Sequence, residues 1–254
     1  MTGVEPQFHV KLAETKAELE AAQRLRYRVF IEELGGDGPM VDHRRKLEMD
    51  RFDSAFDHLI LTASTRPGEV IGVYRLLRDK RARETGQFYS EDEYDLAVLK
   101  NSGRRLLELG RSCVDPAFRG GMAMYHLWNG LEDYVRAHDI EILFGVASFH
   151  GTDTQRLAAP LSLLWHRHLA PPELRVTARS PSQRMDLVPI SKLDRRAAMV
   201  QVPALIKAYL KLGGFVGDGA YVDHQFQTTD VCLLMDTRRM CEAQKSLYMK
   251  ELNR

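Results

Sequence analysis

The order of apolar segments in the middle of the chain constrains its fold more than any other feature. Two strand-like runs, residues 58–63 and 70–77, flank turn residues at 66–68 and predict an antiparallel hairpin. A third run at 106–114 precedes residues 122–137, whose apolar side chains recur at helical spacing, and a buried strand follows at 140–149. The order strand, strand, strand, helix, strand predicts an α/β (α+β) fold.

The flanking segments add further elements to this order. Residues 8–12 predict a short strand, and Thr15 followed by Glu18 has the pattern of a helix start, with helical periodicity to about Glu33. Pro203 and the glycines at 213–214 bracket a later helix. Strand-like runs at 215–222 and 231–235 and a polar helix at about 237–252 come last. We expect the late strands to join the same sheet, so that residues 1–254 form a single domain with an irregular basic segment at about 166–196.

Composition excludes several classes of protein. The 254 residues carry 36 lysines and arginines against 35 acidic residues, a net charge of +1, which argues against a nucleic-acid-binding protein. No stretch approaches the ~18 uninterrupted apolar residues of a transmembrane helix, and the N-terminus lacks the pattern of a secretory signal. The cysteines are few and scattered, as is typical of reduced thiols. We therefore expect a cytoplasmic enzyme or binding module.

Charged side chains concentrate in one loop and recur inside apolar strands. Four carboxylates fall within ten positions, at Glu48, Asp50, Asp53 and Asp57. A solvated acidic loop or a site for a cation explains such a cluster. Charged residues inside apolar strands are seldom buried unless they are paired or functional. The charges that favour a site lie on the preceding helix and in two strands, at Arg28, Arg75, Glu108 and Arg111.

The apolar run at 106–114 leads into a glycine-containing loop. Strict alternation along a strand puts Glu108 and Arg111 on opposite faces, so a bulge at Gly110 is the expected place for the chain to bring them together. The loop at 119–121 reads Arg-Gly-Gly before a helix, and such a turn can present backbone N–H groups to a phosphate. An ordinary glycine loop explains the same residues.

Several strings in this order resemble known acyltransferases. Glu48-x-Asp50-x-Phe52-Asp53 and Glu108-x-x-Arg111, with Arg28, Arg75 and Phe88, resemble the acyl-homoserine-lactone synthases of the GNAT superfamily. Longer strings resemble the bacterial ornithine-lipid N-acyltransferases over about residues 22–236: RYRVF at 26–30, YRLL at 74–77, GQFYS at 86–90, LELGRSCV at 107–114, FHGTD at 149–153 and YLKLG at 209–213. The resemblance implies a GNAT-like fold, with a central mixed, mostly antiparallel twisted sheet flanked by helices.

The resemblance also implies a reaction. The chain would transfer a (3-hydroxy)acyl group from acyl carrier protein to the α-amino group of ornithine, the first step of ornithine-lipid synthesis, before a partner O-acyltransferase acts. A carboxylate would take the proton of the amine, with Glu108 as first candidate and Glu48 as second, while Arg111 orders the network. The residues that would bind the acceptor or line the acyl channel are Asp50, Asp53, Arg75, Arg28, Phe30 and Phe88. The donor would contact Ser112, Cys113, Val114, Arg119, Gly120 and Gly121, with Cys113 as a packed thiol.

The donor loop departs from the usual GNAT pyrophosphate pattern, because Met122 stands where an inner glycine is typical. This departure fits a donor on acyl carrier protein, whose phosphopantetheine arm has one phosphate, and we expect no separate cofactor and no metal. The acidic carrier protein would dock on basic residues, either Arg78, Lys80, Arg81 and Arg83 or the segment from Arg167 to Arg196, with seven basic and three acidic residues. Solvated basic loops explain both sets. The second could instead attach the protein peripherally to anionic lipid of the inner membrane.

Other functions remain open at this point. The alternatives are the same reaction on glutamine, a homoserine-lactone synthase that uses S-adenosylmethionine, and a non-catalytic acyl-carrier- or lipid-binding module. Three competing motifs are weak. His43-x4-Glu48 mimics a glycerolipid acyltransferase pair without that family's other blocks, His166 and His168 lack further zinc ligands, and Ser148 lies outside a GxSxG turn.

Overall fold

In the computed structural model, which describes residues 6–239, the chain folds into strands and helices close to the predicted ranges. The strands are β1 (Phe8–Leu12), β2 (Asp57–Ala63), β3 (Val70–Arg78), β4 (Tyr94–Asp95), β5 (Leu106–Val114), β6 (Ile142–His150), β7 (Thr177–Ala178), β8 (Ser182–Gln183), β9 (Phe215–Val216), β10 (Ala220–Asp223) and β11 (Thr228–Asp236). The α-helices are α1 (Lys16–Arg26), α2 (Asp79–Thr85), α3 (Ala97–Lys100), α4 (Ala123–Ala137), α5 (Ala158–His168), α6 (Arg195–Gln201) and α7 (Ala204–Lys211).

These elements fall into two units, each made of two chain segments. Within the described residues, unit 1 contains 6–85 and 109–139, and unit 2 contains 86–108 and 140–239. The first three residues of β5 belong to unit 2 and the rest of that strand to unit 1. The single-domain organisation stays a prediction.

Unit 1 has the strand order β1-β2-β3-β5, and β2 pairs antiparallel with both β1 and β3. The predicted hairpin is therefore confirmed. The predicted helix start is confirmed as well, because the Thr15 hydroxyl accepts from the Glu18 N–H and the Glu18 carboxylate accepts from the Thr15 N–H. The helix extends to Glu33 as predicted, but its last part, Tyr27–Glu33, is a π-helix.

Helix α4 lies close against the sheet of unit 1 because two glycines leave room for it. A Cβ on Gly72 in β3 would lie 2.8 Å from Leu127 Cδ1 of the helix, and a Cβ on Gly130 in the helix would collide with Val10 of β1. The closeness of α4 to β1 and β3 therefore depends on residues without a side chain.

Unit 2 has the strand order β5-β6-β11-β10-β8, with β9 also on β11. The β5–β6 pairing is parallel over Leu106–Glu108, whereas β6–β11, β10–β11 and β8–β10 are antiparallel. The α/β fold with a mixed, mostly antiparallel sheet is therefore confirmed. The late strands join this sheet through β11, as expected.

Some predicted elements need correction. The run at 215–222 is two strands, β9 and β10, because Gly219 adopts a φ of +83° and turns the chain between them. Helices α2 and α5 were not predicted, and α6 begins at Arg195, inside the segment predicted to be irregular. Of the helix predicted at about 237–252, Thr237–Arg239 forms a 3₁₀ turn and the remainder lies outside the described residues. Within residues 6–239, no helix has the length and apolar character needed to cross a membrane.

Candidate active site

The centre of the candidate site in unit 1 is a buried arginine on the first helix. Arg26 is fully buried, and it falls on the same helical stripe as Ala22, Leu25 and Val29, which are also buried. The stripe directs the guanidinium inwards, where burial without a partner would be strongly unfavourable.

Two carboxylates from the loop after the helix pair with Arg26. Arg26 Nε donates to Glu48 Oε2 at 2.5 Å, and Arg26 Nη1 donates to Asp53 Oδ1 at 2.8 Å. Gln23, one turn earlier on α1, donates to the other oxygen of Asp53 at 2.9 Å. The acidic loop is therefore a set of buried partners for arginines, and the solvated-loop explanation is wrong for Glu48 and Asp53.

A second fully buried arginine, Arg75 of β3, shares Asp53 with Arg26 and also pairs with Asp50. Its Nη1 donates to Asp50 Oδ2 at 2.7 Å and to Asp53 Oδ1 at 2.8 Å. Its guanidinium carbon lies 4.4 Å from the centre of the Phe56 ring, a cation–π contact. A Cβ on Gly110 would come within 3.8 Å of Arg75, so this glycine of β5 lies directly beside the guanidinium.

The third arginine of the cluster is Arg111 of β5, where the strand backbone is irregular. Arg111 Nε donates to Glu48 Oε1 at 3.0 Å, and its Nη2 lies 3.6 Å from Asp50 Oδ2. Arg111 itself has a φ of +48°, in the left-handed region that residues with a Cβ rarely occupy. The backbone irregularity predicted at Gly110 therefore occurs one residue later, at Arg111, and it redirects the Arg111 side chain.

The electrostatics of this cluster keep Glu48 and Asp53 ionised. Burial alone raises the pKa of Glu48, but Arg111, Arg26 and Arg75 outweigh it and hold that pKa at about 2. Asp53 is also buried, and Arg26 and Arg75 hold its pKa well below the ordinary value. The reverse holds for Arg26, where burial lowers the pKa and Glu48 and Asp53 raise it above its usual range.

Exposure differs among the six side chains of the cluster, which are Arg26, Glu48, Asp50, Asp53, Arg75 and Arg111. The side chains of Asp50 and Arg111 are the most exposed, at 18% and 13%. Glu48 is 1% exposed, and the other two arginines are 0% exposed. Since a substrate can contact only what reaches the surface, Asp50 and Arg111 are the members of the cluster suited to bind one.

The structure does not bring Arg28 into this cluster. Its side chain is 41% exposed, and its Nη2 lies 3.2 Å from Asp115 Oδ2. Phe30, on the π-helix, does approach the cluster, with its ring centre 5.8 Å from the Arg111 guanidinium carbon. The role of both residues in the pocket wall stays a prediction.

Glu108, the first candidate base, belongs to unit 2 and is held by a neighbouring turn. It is 1% exposed, and its carboxylate accepts from the Tyr89 N–H at 2.8 Å, the Ser90 N–H at 2.6 Å and the Ser90 hydroxyl. Phe88, the residue before Tyr89, is buried, and its ring centre lies 5.0 Å from that of Phe144. Glu108 therefore anchors the start of the 3₁₀ turn at Tyr89–Asp92, a positioning role that sequence reasoning missed.

The predicted donor residues lie at the end of β5 and in the following loop. Cys113 packs in a core with Ala22, Leu25 and Val29, and burial raises the pKa of its thiol to about 12, as suits a packed thiol. Arg119 makes a forked ion pair with Glu33, at 2.6 and 2.7 Å. This pair occupies a guanidinium that was predicted to contact the donor.

Next to these, Ser112 is partly buried and Val114 is buried, while Gly120 and Gly121 are exposed. Gly120 has a φ of +75°, which permits the turn into α4. The donor roles of these residues stay predictions.

Unit 2 also contains three carboxylates that could hold a cation. One oxygen from each lies within 4.8 Å of the others, and the residues are Glu93, Asp223 and Asp230. Oxygen donors of this kind suit a hard cation or an ammonium group. These carboxylates are far apart along the chain, so no local sequence pattern marks them as a group.

Comparisons with known proteins identify the family of the chain. Residues 25–129 match the family model described as an acetyltransferase (GNAT) domain. The chain is 59% identical over 249 residues to the L-ornithine N(alpha)-acyltransferase of Rhodobacter capsulatus, with 96% of each chain covered. It is 40% identical over 254 residues to that of Brucella abortus, covering 97% of this chain and 90% of the relative.

Two solved structures share the fold. One is a CoA-dependent acyl-homoserine lactone synthase, with a TM-score of 0.54 and 11% identity over 98% of this chain and 90% of the other. The second is an N-acyl amino acid synthase from uncultured soil microbes, with a TM-score of 0.51 and 11% identity over 95% of this chain and 98% of the other. The GNAT-like fold is confirmed.

Proposed function

Because the chain belongs to the family of L-ornithine Nα-acyltransferases, we propose that it transfers an acyl chain to the α-amino group of L-ornithine. The observation that carries the proposal is the 59% identity to a relative of that name over 96% of both chains. The product is an N-acyl ornithine, a lyso-lipid with one acyl chain. A partner O-acyltransferase would then add the second chain.

The reaction is a direct acyl transfer from a thioester. The neutral α-amine attacks the thioester carbonyl carbon, the C–N bond forms, and the C–S bond breaks. The nitrogen loses one proton, and the leaving thiolate takes one up, so that an amide and a thiol result. Backbone N–H groups of the strand end would hold the negative charge that develops on the carbonyl oxygen.

The exposed edge of the arginine–carboxylate cluster suits the two ends of an amino acid. Arg111 would hold the α-carboxylate of the acceptor, since a guanidinium binds a carboxylate through two parallel N–H donors. Asp50 would bind a cationic group of the acceptor. The fully buried Arg26 and Arg75 fix the positions of the carboxylates and do not themselves contact substrate.

The proton of the amine has two candidate acceptors, Glu108 and Glu48, directly or through water. The pKa of about 2 makes Glu48 a weak base, whereas Glu108 is 1% exposed and its carboxylate already accepts three hydrogen bonds, so both stay candidates. The Glu108 carboxylate also anchors the turn at Tyr89 and Ser90, so a simple loss of activity on mutation would not separate the two roles. A base changes the pH profile of kcat, whereas a positioning residue lowers kcat at every pH.

Acyl carrier protein with its phosphopantetheine arm is the proposed donor, and the proposed location is the cytoplasm. The departure at Met122 from the usual GNAT pyrophosphate loop supports a donor with one phosphate. Of the predicted docking residues on α2, Arg81 and Arg83 already pair with Glu84 and Asp79. Lys80 of that set and the basic residues between Arg167 and Lys192 are the candidates for docking.

The test uses purified protein, a 3-hydroxyacyl group on acyl carrier protein, and three acceptors in separate reactions: L-ornithine, L-glutamine and S-adenosylmethionine. We expect N-acyl ornithine as the main product, with free thiol released in equal amount. A main product from glutamine would assign that acceptor instead, and a lactone from S-adenosylmethionine would assign the synthase activity. Binding without turnover would indicate a non-catalytic module.

Asp50→Asn is the variant that tests acceptor binding. We expect the KM for ornithine to rise at least tenfold with a smaller change in kcat, because one charge-assisted contact is lost. Glu32→Gln, which removes a carboxylate paired with Lys46 on the surface, is the matched control and should leave both constants unchanged. An unchanged KM in Asp50→Asn would refute the proposed contact.

A further inference from the structure

Helices α6 and α7 in unit 2 carry a surface that combines exposed apolar and cationic side chains. Val200 is 77% exposed, a larger exposed fraction than that of any other large hydrophobic residue in the described chain. Basic and apolar side chains line the groove beside it. We call this the α6–α7 surface, and its residues are Arg195, Arg196, Met199, Val200 and Lys207.

Among the residues that the structure describes, the cations of this surface have no carboxylate partners. Within residues 6–239, neither arginine of the α6–α7 surface nor Lys207 forms a salt bridge. Other exposed arginines of unit 2 do, as in the pairs Arg156–Asp153 and Arg184–Asp186. Unbalanced positive charge around an exposed valine suits a partner that is both anionic and apolar.

The opposite side of the two helices is buried. Ala198 and Ile206 are fully buried, and Val202 between the helices is 2% exposed. Asp194 caps α6 by accepting from the N–H groups of Arg196 and Ala197. Val200 therefore projects from an anchored helix, with its exposure set by the fold and not by a free chain end.

We propose that the α6–α7 surface binds the anionic surface of a lipid bilayer, with Val200 entering the interface and the basic side chains contacting lipid phosphates. A short amphipathic element with basic and apolar residues binds membranes in this way. An acidic protein would match the charge alone, whereas a bilayer also buries the valine. The preference for lipid rests in part on the proposed function, because an acylated product must leave for a membrane.

The test is flotation of the full chain with vesicles of phosphatidylcholine alone or with 30% phosphatidylglycerol, a fraction chosen to make the surface anionic. We expect binding to the anionic vesicles that weakens as salt rises. The double variant Arg195→Glu/Arg196→Glu should lower the partition coefficient about 30-fold or more, since each basic residue near an anionic surface contributes several-fold. Val200→Asp should lower it about tenfold, and Val200→Leu should keep or raise it.

The matched control is Arg156→Glu/Arg184→Glu, which makes the same change in charge on exposed arginines of unit 2. It should keep most of the binding. Equal losses in both double variants, or no binding of the unaltered chain to anionic vesicles, would overturn the proposal. A raised KM for the carrier-bound donor in Arg195→Glu/Arg196→Glu, with vesicle binding unchanged, would assign the surface to the carrier protein and also overturn it.

The two proposals fail separately in these experiments. Val200→Asp, assayed without vesicles, should retain full turnover of ornithine. Vesicle binding without any N-acyl ornithine would contradict the proposed function, and turnover without vesicle binding would contradict the membrane surface.

Discussion

Removing one charge from the buried cluster tests its energetics directly. Glu48→Gln keeps the size of the side chain but leaves three arginines with two carboxylates. In the folded chain the pKa of Glu48 is about 2, compared with an ordinary value of 4.5. A difference of about 2.5 units corresponds to roughly 3 kcal/mol of folding stability at 1.36 kcal/mol per unit. This agrees with the roughly 3–5 kcal/mol lost when a buried ion pair loses one partner.

The sign of the effect fixes its pH dependence. Because folding lowers the pKa of Glu48, its stabilisation is fully present above pH 4.5 and disappears as the pH falls from there towards 2. Urea unfolding of Glu48→Gln and of the unaltered chain should therefore differ by about 3 kcal/mol at pH 7, with the difference shrinking below pH 4.5.

The control is again Glu32→Gln, whose exposed partner Lys46 makes a surface pair. It should cost less than about 1 kcal/mol. A loss in Glu48→Gln as small as in the control, or a difference that stays constant from pH 7 to pH 3.5, would show that ionised Glu48 does not stabilise the fold.

Three other predictions follow from the same structure. Arg111→Gly should be about 1 kcal/mol more stable to unfolding than Arg111→Ala, because only glycine accepts a φ of +48° without strain. It should therefore melt at a higher temperature, and equal melting temperatures would contradict this. Cys113→Ala should keep kcat within a few-fold, because a thiol with a pKa of about 12 is not ionised at neutral pH, whereas a thousand-fold loss would make it a nucleophile. Gly130→Ala should lower stability by about 1–3 kcal/mol through the collision with Val10, and an unchanged melting temperature would show that α4 can shift.

Local signals predicted the elements whose causes are local. The Thr15–Glu18 capping pattern and the turn at 66–68 each specify a structure within a few residues, and both were correct. The split of 215–222 was missed because periodicity alone does not show that Gly219 takes a positive φ.

The candidate site was predicted in part, and the missing member is instructive. Strings of similar residues located Glu48, Asp53 and Arg75, but they favoured Arg28 over Arg26. The signal for Arg26 was present, since it lies four residues after Ala22 and three before Val29 on an apolar stripe. The turn held by Glu108 could not be predicted, because its partners at 89–90 are brought to it only by the tertiary fold.

The proposed function depends on acylation of the α-amine of ornithine, and lipid analysis detects the product of that step. A bacterial host without ornithine lipids would express the chain alone or with a partner O-acyltransferase, and tandem mass spectrometry would analyse the lipid extracts. We expect a singly acylated ornithine, with the amide on the α-nitrogen, from the chain alone and a doubly acylated lipid with the partner. No new ornithine lipid in either host, or an amide on the side-chain nitrogen, would contradict it.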